Sequence, residues 1–293
     1  MGSRLLGAIE AGGTKFRCAL GDDSGKILSE TRIPTTTPAA TLAACLNYFS
    51  SQASFGEIEG FGIASFGPVE LNRCSRSWGR LLATPKQGWE GTDLVTPLLQ
   101  RYAKPVAIDT DVNAAALAEA RLGAGLGCIS VAYVTVGTGI GGGAVVNGAS
   151  LKGVPHPEMG HLRVVRDPLD SFAGICPFHG DCLEGLASGP AISARWGTTL
   201  DQLNPDHPAC GILGNYLGQL AATIVLVLAS DRIIFGGGVM RDGVLLPYIR
   251  RHAHALLCGY PSDCVESRIS LPELGDNAGL IGAVLLASSA TFS

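Results

Sequence analysis

The sequence carries no long basic run and little charge of either sign: 16% of its 293 residues are charged, with a net charge of -4 at pH 7. A mildly acidic chain without a basic cluster argues against nucleic acid or an anionic lipid surface as its main partner. Long apolar runs are scarce as well. The longest, Leu220 to Ala229, is cut off by Asp231 and Arg232 and reads as too short to span a bilayer. No charged segment with an apolar core opens the chain, so nothing points to secretion. The nine cysteines lack the even number and regular spacing of a disulfide framework. They read as cytoplasmic thiols, with Cys18, Cys45, Cys128 and Cys258 in apolar contexts as small core residues.

What is abundant is glycine, 40 residues, within a chain that is 46% hydrophobic and long enough for about two domains. The glycines gather at Gly12 and Gly13, between Gly137 and Gly143, and at Gly236, Gly237 and Gly238. Each cluster follows a short β-like run: Leu5 to Glu10, Ser130 to Val136 and Arg232 to Phe235. A strand running into a glycine turn is where backbone can approach a phosphate, because no Cβ intervenes. Around the first turn, Glu10, Thr14 and Lys15 add a carboxylate, a hydroxyl and an ammonium. This corner is not a Walker A loop, since the earlier glycine and the following helix are both missing. The run Gly137 to Gly142 contains the G-x-G-x-x-G string of a dinucleotide fold. The next residues, Gly143 to Asn147, are again β-like and do not open a helix, so a glycine hairpin over phosphates with Thr138 donating its hydroxyl is the better reading.

In order, strands are expected at Leu5 to Glu10, Lys15 to Leu20 and Lys26 to Ile33, then a helix capped by Thr37 and opened by Pro38. Ile58 to Phe66 and Pro105 to Asp109 read as strands, Thr92 to Tyr102 and Asn113 to Leu122 as helices. The second half repeats the plan loosely. A hairpin about the glycine loop is followed by helices at Ala187 to Arg195 and Pro208 to Ala229 and by the strand Arg232 to Phe235. A helix from Gly238 to about Leu257 and another from Gly279 to Ser288 close the chain. The expected class is α/β, in two similar halves with a cleft between them.

Two stretches carry chemistry. Cys176, His179 and Cys182 stand three apart, and His161 can supply a fourth corner. Such a Cys2His2 set suits a closed tetrahedral zinc site, which holds structure and leaves no open position for water. Glu158 and Glu184 flank these ligands as acceptors suited to the hydroxyls of a small polyol. The second stretch runs from Asp109 to Asn113, where a strand ends and a helix begins. Asp111 is the candidate general base for an attacking alcohol and Asn113 a hydroxyl anchor, while Asp109 serves as a helix cap. Trp89 stacks on a sugar face or belongs to the core.

Taken together, these motifs resemble the ROK-family sugar kinases, of the actin/hexokinase-like (ribonuclease H-like) fold. The likeness runs nearly end to end: Glu10 to Lys15, Asp111 to Ala115, Gly137 to Gly142, Glu158 to His161 with the zinc segment through Glu184, and Asp276 to Leu280. Within the family the chain is most similar to the fructokinases, which share Thr84, Pro85, Lys86, Gly88 and Trp89, and Pro155 to Glu158. Glu10 stands where Asp is commoner, and His179 replaces a cysteine of the usual zinc set; both departures fit that branch. The resemblance implies a two-lobed fold: a small N-terminal lobe over residues 1–112, with 279–293 packing back on it, and a large lobe over 113–278 carrying the zinc segment 156–184. It implies ATP-dependent phosphorylation of fructose, with Mg²⁺ beside the nucleotide and a structural Zn²⁺. Gly12, Gly13, Thr14, Lys15, Thr138 and Gly139 would hold phosphates, and Pro190, Gly236, Gly237, Gly238, Val239 and Met240 would border the adenosine. Asn113, Asp111, Glu158, His161 and Glu184 would hold the sugar. The expected partners are a small-molecule sugar, ATP and a second copy of the chain, in the cytoplasm. A kinase for glucose, mannose or an N-acetylhexosamine and a non-catalytic sugar sensor are the alternatives. A DNA-binding repressor of the same family is not expected, because its helix-turn-helix would precede a first phosphate motif that here begins within ten residues of Met1.

Overall fold

The computed structural model describes residues 4–84, 86–204, 206–261 and 264–291. Pro85 of the Thr84–Trp89 loop and the last residues of the expected C-terminal segment lie outside these. The chain divides into two compact units, Met1–Ala118 with Ser150–Pro157 and Asn277–Ser293, and Glu119–Ala149 with Glu158–Asp276.

The first unit is built on five strands, β1 (Leu5–Ala11), β2 (Lys15–Asp22), β3 (Ile27–Pro34), β4 (Gly60–Ser65) and β5 (Val106–Thr110), in the order β3-β2-β1-β4-β5. The first three form the antiparallel meander, and β4 and β5 run parallel to β1. β4 and β5 are buried at every residue, whereas β3 alternates between half-buried and exposed as an edge strand does. The helices are α1 (Pro38–Ser51), α2 (Thr96–Tyr102), α3 (Asp111–Leu122), which continues past the division, and α9 (Ala278–Ala290). Thr37 caps α1 by accepting from the Ala40 amide, and Pro38 opens the helix. α2 begins four residues later than Thr92, because Asp93 accepts from the amides of Val95 and Thr96 and so marks the true start. α9 is apolar all round and buried along nearly its whole length, against β1, β4 and β5. It lies so close that a Cβ on Gly62 would meet the Ala283 carbonyl at 1.9 Å.

Trp89 belongs to the core. It is 0% exposed, its ring stands 5.3 Å from that of Phe16, and its indole N–H donates to the Thr36 carbonyl at 3.0 Å. Stacking on a sugar is therefore ruled out for this side chain.

The second unit repeats the topology with β6 (Ser130–Val136), β7 (Ile140–Val146), β8 (Ala149–Ser150), β9 (Arg232–Gly236) and β10 (Ile269–Ser270), ordered β10-β9-β6-β7-β8. β6 pairs antiparallel with β7 and parallel with β9, as β1 does with β2 and β4. Its helices are α4 (Leu183–Ala187), α5 (Gly189–Trp196), α6 (Ala209–Leu228), α7 (Leu246–Leu257) and α8 (Val265–Arg268). The helix expected over Ala187 to Arg195 is split, because Ser188 is extended and caps α5 from its own hydroxyl. The helix expected from Gly238 starts only at Leu246; Gly243, at φ +67°, breaks the path.

The Leu220 to Ala229 run is the second half of the helix expected over Pro208 to Ala229, which is found as α6. α6 has 20 residues and is long and apolar enough to cross a membrane. Most of it is buried inside the unit, against α4 and α7, as a core helix is. The division between the units falls between Ala118 and Glu119, inside α3, so Asn113 lies in the first unit. Ser150–Pro157 crosses to the first unit too, although it follows β8 of the second.

Candidate active site

In the first unit, β5 delivers Asp109 and Thr110 to the N-terminal end of α3. Asp111 opens that helix half-buried, its Oδ1 accepting from the Val112 amide at 2.9 Å. A carboxylate there sits at the helix's positive end. Asp109 is 0% exposed and does more than cap: its Oδ1 accepts from the Thr110 amide and from Asn113 Nδ2, at 2.9 and 2.8 Å. Asn113 Nδ2 also donates to the Leu151 carbonyl at 3.2 Å. Both amide hydrogens of Asn113, which is buried, are thereby engaged.

The β1–β2 turn holds Gly12, Gly13, Thr14 and Lys15. The Gly12 amide closes the turn on the Lys15 carbonyl at 3.1 Å, so it is spent on the fold. Thr14 and Lys15 are exposed, and space is open around Gly13. Glu10 is tied to the buried Arg17 at 3.1 Å, and Arg17 also grips Glu30 and Asn277. Burial raises the Glu10 carboxyl above its ordinary value despite the arginine.

In the second unit the four expected metal ligands converge. One ligand atom each from His161, Cys176, His179 and Cys182 lies within 4.8 Å of all the others. Cys176 Sγ is 3.7 Å from His161 Nδ1 and 3.6 Å from His179 Nδ1, and Cys182 Sγ is 3.5 Å from His161 Nδ1. The edge of a tetrahedron with zinc–sulfur and zinc–nitrogen bonds is about 3.6 Å, so the donors fit that ion. A reciprocal pair of backbone bonds between Cys176 and Gly180 ties the loop, and the Leu183 amide bonds the Leu162 carbonyl, joining it to the His161 segment. Burial pushes the Cys182 thiol up to about 11, with Cys176 adding to the shift, which is the condition a bound cation reverses.

Glu184 stands in the first turn of α4 and accepts from the Ile140 amide at 2.9 Å, so the zinc segment is bonded directly to the glycine hairpin. Glu158 is exposed and precedes the single turn that carries His161. That turn presses on β7: a Cβ on Gly160 would sit 1.8 Å from the Ile140 carbonyl, so only glycine fits.

A cavity of about 360 Å³ opens on the other side of the hairpin, lined by Gly137, Thr138, Gly189, Pro190, Gly238 and Val239 among others. Thr138, Pro190, Gly238 and Val239 are thus brought together as expected. Gly139 turns away, toward Glu184. Gly236, Gly237 and Met240 do not line the cavity. A Cβ on Gly236 would strike the Tyr133 hydroxyl, one on Gly237 the Val136 carbonyl, and Met240 is buried. Sequence reasoning missed Gly189, Ile192, Thr199, Leu200, Asp201, Asp242 and Val244, which complete the lining. They have no motif; α5 and the loops after it and after β9 bring them in.

A family model described as the ROK family matches residues 6–290. The chain is 45% identical over 293 residues to a protein of Zymomonas mobilis named fructokinase, covering 98% of this chain and 97% of that one. A fructokinase of Lactococcus lactis subsp. cremoris is 41% identical over 292 residues, covering 98% of both. Among solved structures, a ROK family glucokinase from Streptomyces griseus in complex with glucose and AMPPNP superposes with a TM-score of 0.76 at 27% identity, covering 97% of this chain and 99% of that one.

Proposed function

The chain belongs to the ROK family, and we propose that it is an ATP-dependent sugar kinase that converts fructose to fructose 6-phosphate. The observation that carries the substrate is the end-to-end likeness to proteins named fructokinase, at 41–45% identity.

The chemistry divides between the units. In the first, Asp111 accepts the proton of the sugar's 6-hydroxyl as its oxygen attacks the γ-phosphate, and Asn113 anchors a neighbouring hydroxyl. Gly13, Thr14 and Lys15 offer amides, a hydroxyl and an ammonium to phosphate oxygens. In the second, Glu158, Glu184 and His161 hold hydroxyls. His161 turns Nδ1 toward the thiols, which leaves Nε2 for the sugar and fixes its tautomer. The 360 Å³ cavity takes the adenosine, with Thr138 and the glycine backbone at its phosphate end. His161, Cys176, His179 and Cys182 would hold zinc, which supplies structure. Mg²⁺ accompanies the nucleotide and neutralises phosphate charge. A cytoplasmic homodimer belongs to the same reading; sedimentation and cell fractionation test it.

The test is ADP release with Mg-ATP on fructose, glucose, mannose and an N-acetylhexosamine, with Asp111→Asn alongside. Turnover chiefly on fructose is expected, with a fall of about 10²–10⁴ in the variant, the usual contribution of a general base. Turnover chiefly on another hexose overturns the substrate, and near-normal turnover of the variant overturns the base.

A further inference from the structure

The turn of the glycine hairpin, Gly137, Thr138 and Gly139, is held at both ends by one short stretch of the same unit, residues 184–190. At one end the Ile140 amide donates to Glu184 Oε2 at 2.9 Å. At the other the Gly189 amide donates to the Gly137 carbonyl at 2.7 Å. Between these two points the turn closes on itself, the Gly137 amide donating to the Gly139 carbonyl at 2.9 Å. The approach is close on both sides. A Cβ on Gly139 would lie 2.7 Å from Glu184 Oε2, and one on Gly189 3.0 Å from the Gly137 carbonyl. Gly137, Thr138 and Gly189 line the 360 Å³ cavity, so this clamp borders the space that takes the nucleotide in the reading above, and on that reading this inference rests.

A turn with glycine on either side of its one hydroxyl has many backbone conformations open to it. The register of β6 and β7 ends with Val136 opposite Ile140, so the Ile140 amide is the last point the sheet fixes before the turn. Thr138 is exposed at the tip, and its place follows from the anchors on either side. Glu184 is half-buried, and a carboxylate that accepts from a backbone amide makes one of the stronger hydrogen bonds. A phosphate that meets an ordered turn does not have to order it first, so loss of an anchor weakens nucleotide binding.

We propose that Glu184 is a positioning residue for the nucleotide as well as a holder of the sugar: by accepting from the Ile140 amide it keeps the Thr138 turn in the shape that receives the phosphates. This second duty needs an acceptor and no charge. Glutamine can perform it through its amide oxygen, whereas alanine and methionine cannot. Nucleotide binding in the absence of sugar therefore separates it from the first.

The experiment uses the full chain, as wild type and with Glu184→Ala, Glu184→Met or Glu184→Gln. Calorimetry gives the affinity for the non-hydrolysable analogue AMPPNP with Mg²⁺ and no sugar, and hydrogen exchange follows the Ile140 amide. Glu184→Ala is expected to weaken AMPPNP binding about tenfold, the scale of one hydrogen bond to a charged group, and to speed exchange at Ile140. Glu184→Met fills much of the same space without an acceptor; it gives the same loss and covers the case in which alanine leaves a hole that unfolds the protein. Glu184→Gln keeps AMPPNP affinity within about threefold of wild type and keeps the slow exchange. AMPPNP affinity within about twofold of wild type in a folded alanine or methionine variant, or a glutamine variant as weak as those two, overturns the proposal. So does fast exchange of Ile140 in the wild type, which needs no variant. In each of these cases fructose turnover by the wild type leaves the kinase reading standing. A folded wild-type protein that neither binds AMPPNP nor turns over a hexose overturns both.

Discussion

Glu119 lies just past the division between the units, is 0% exposed, and was given no role by its place in an alanine-rich helix. Its Oε2 accepts from the amides of Ala124 and Glu273, at 2.8 and 3.2 Å, and its Oε1 from the Leu274 amide at 2.9 Å. One carboxylate thus fastens the loop that follows α3 to the loop that leads toward α9. Glu119→Ala strands three partly buried backbone donors, each worth up to about 1–3 kcal/mol when left unmade, and water reaching them recovers part of that. A net loss of about 3–5 kcal/mol is expected, which in a unit of this size lowers the melting temperature by roughly 6–20 °C. Glu119→Gln keeps an oxygen at one end and sets an NH₂ against a backbone N–H at the other, so it should lose less, about 1–3 kcal/mol. Thermal and urea unfolding of the two variants measure this order. An alanine variant within about 1 kcal/mol of wild type, or a glutamine variant as weak as alanine, refutes the account of Glu119 as a buried amide acceptor.

Metal analysis of the purified protein should find one zinc ion per chain, and Cys182→Ser or a strong chelator should remove it. Structural zinc contributes on the order of 10 kcal/mol, so protease cleavage within residues 174–183 should rise sharply on removal; an unchanged digestion pattern counts against the site. The Arg17 hydrogen bonds lower the Glu30 carboxyl below its ordinary value of 4.5. A depressed carboxylate stabilises above its unfolded value and loses that as pH falls through the folded one. Glu30→Gln should therefore be less stable than wild type at pH 7, with the gap closing below about pH 4.5; a gap constant with pH would separate Glu30 from Arg17. Val239→Trp should fill the cavity that it lines and raise the ATP KM at least about tenfold while leaving fructose KM near wild type. Equal rises in both would place the nucleotide elsewhere.

Much of the site was legible because its residues are close in sequence or sit where elements change. Cys176, His179 and Cys182 share a seven-residue loop, so spacing alone brings them near one point. Asp111 stands at a strand-to-helix junction that the pattern around it marks. The glycine hairpin was readable because β-like runs flank Gly137 to Gly142 on both sides. Ser188 and Gly243 hid their effects: one extended residue and one left-handed one each cut a helix that the apolar pattern continued.

By itself, then, the sequence determined the α/β class, most of the strands and the convergence of His161, Cys176, His179 and Cys182, since local spacing and turn chemistry act over a few residues. Only the tertiary structure decided that Trp89 is core, that α6 is mostly buried, and that Gly236, Gly237 and Met240 pack inward. The same holds for the pairing of Lys152 with Asp109 and for the three amides on Glu119. Those contacts join residues up to some 155 positions apart, and no local pattern encodes them. Burial settles them, because a carboxylate or an amide taken out of water must find its partner wherever the packed chain places one.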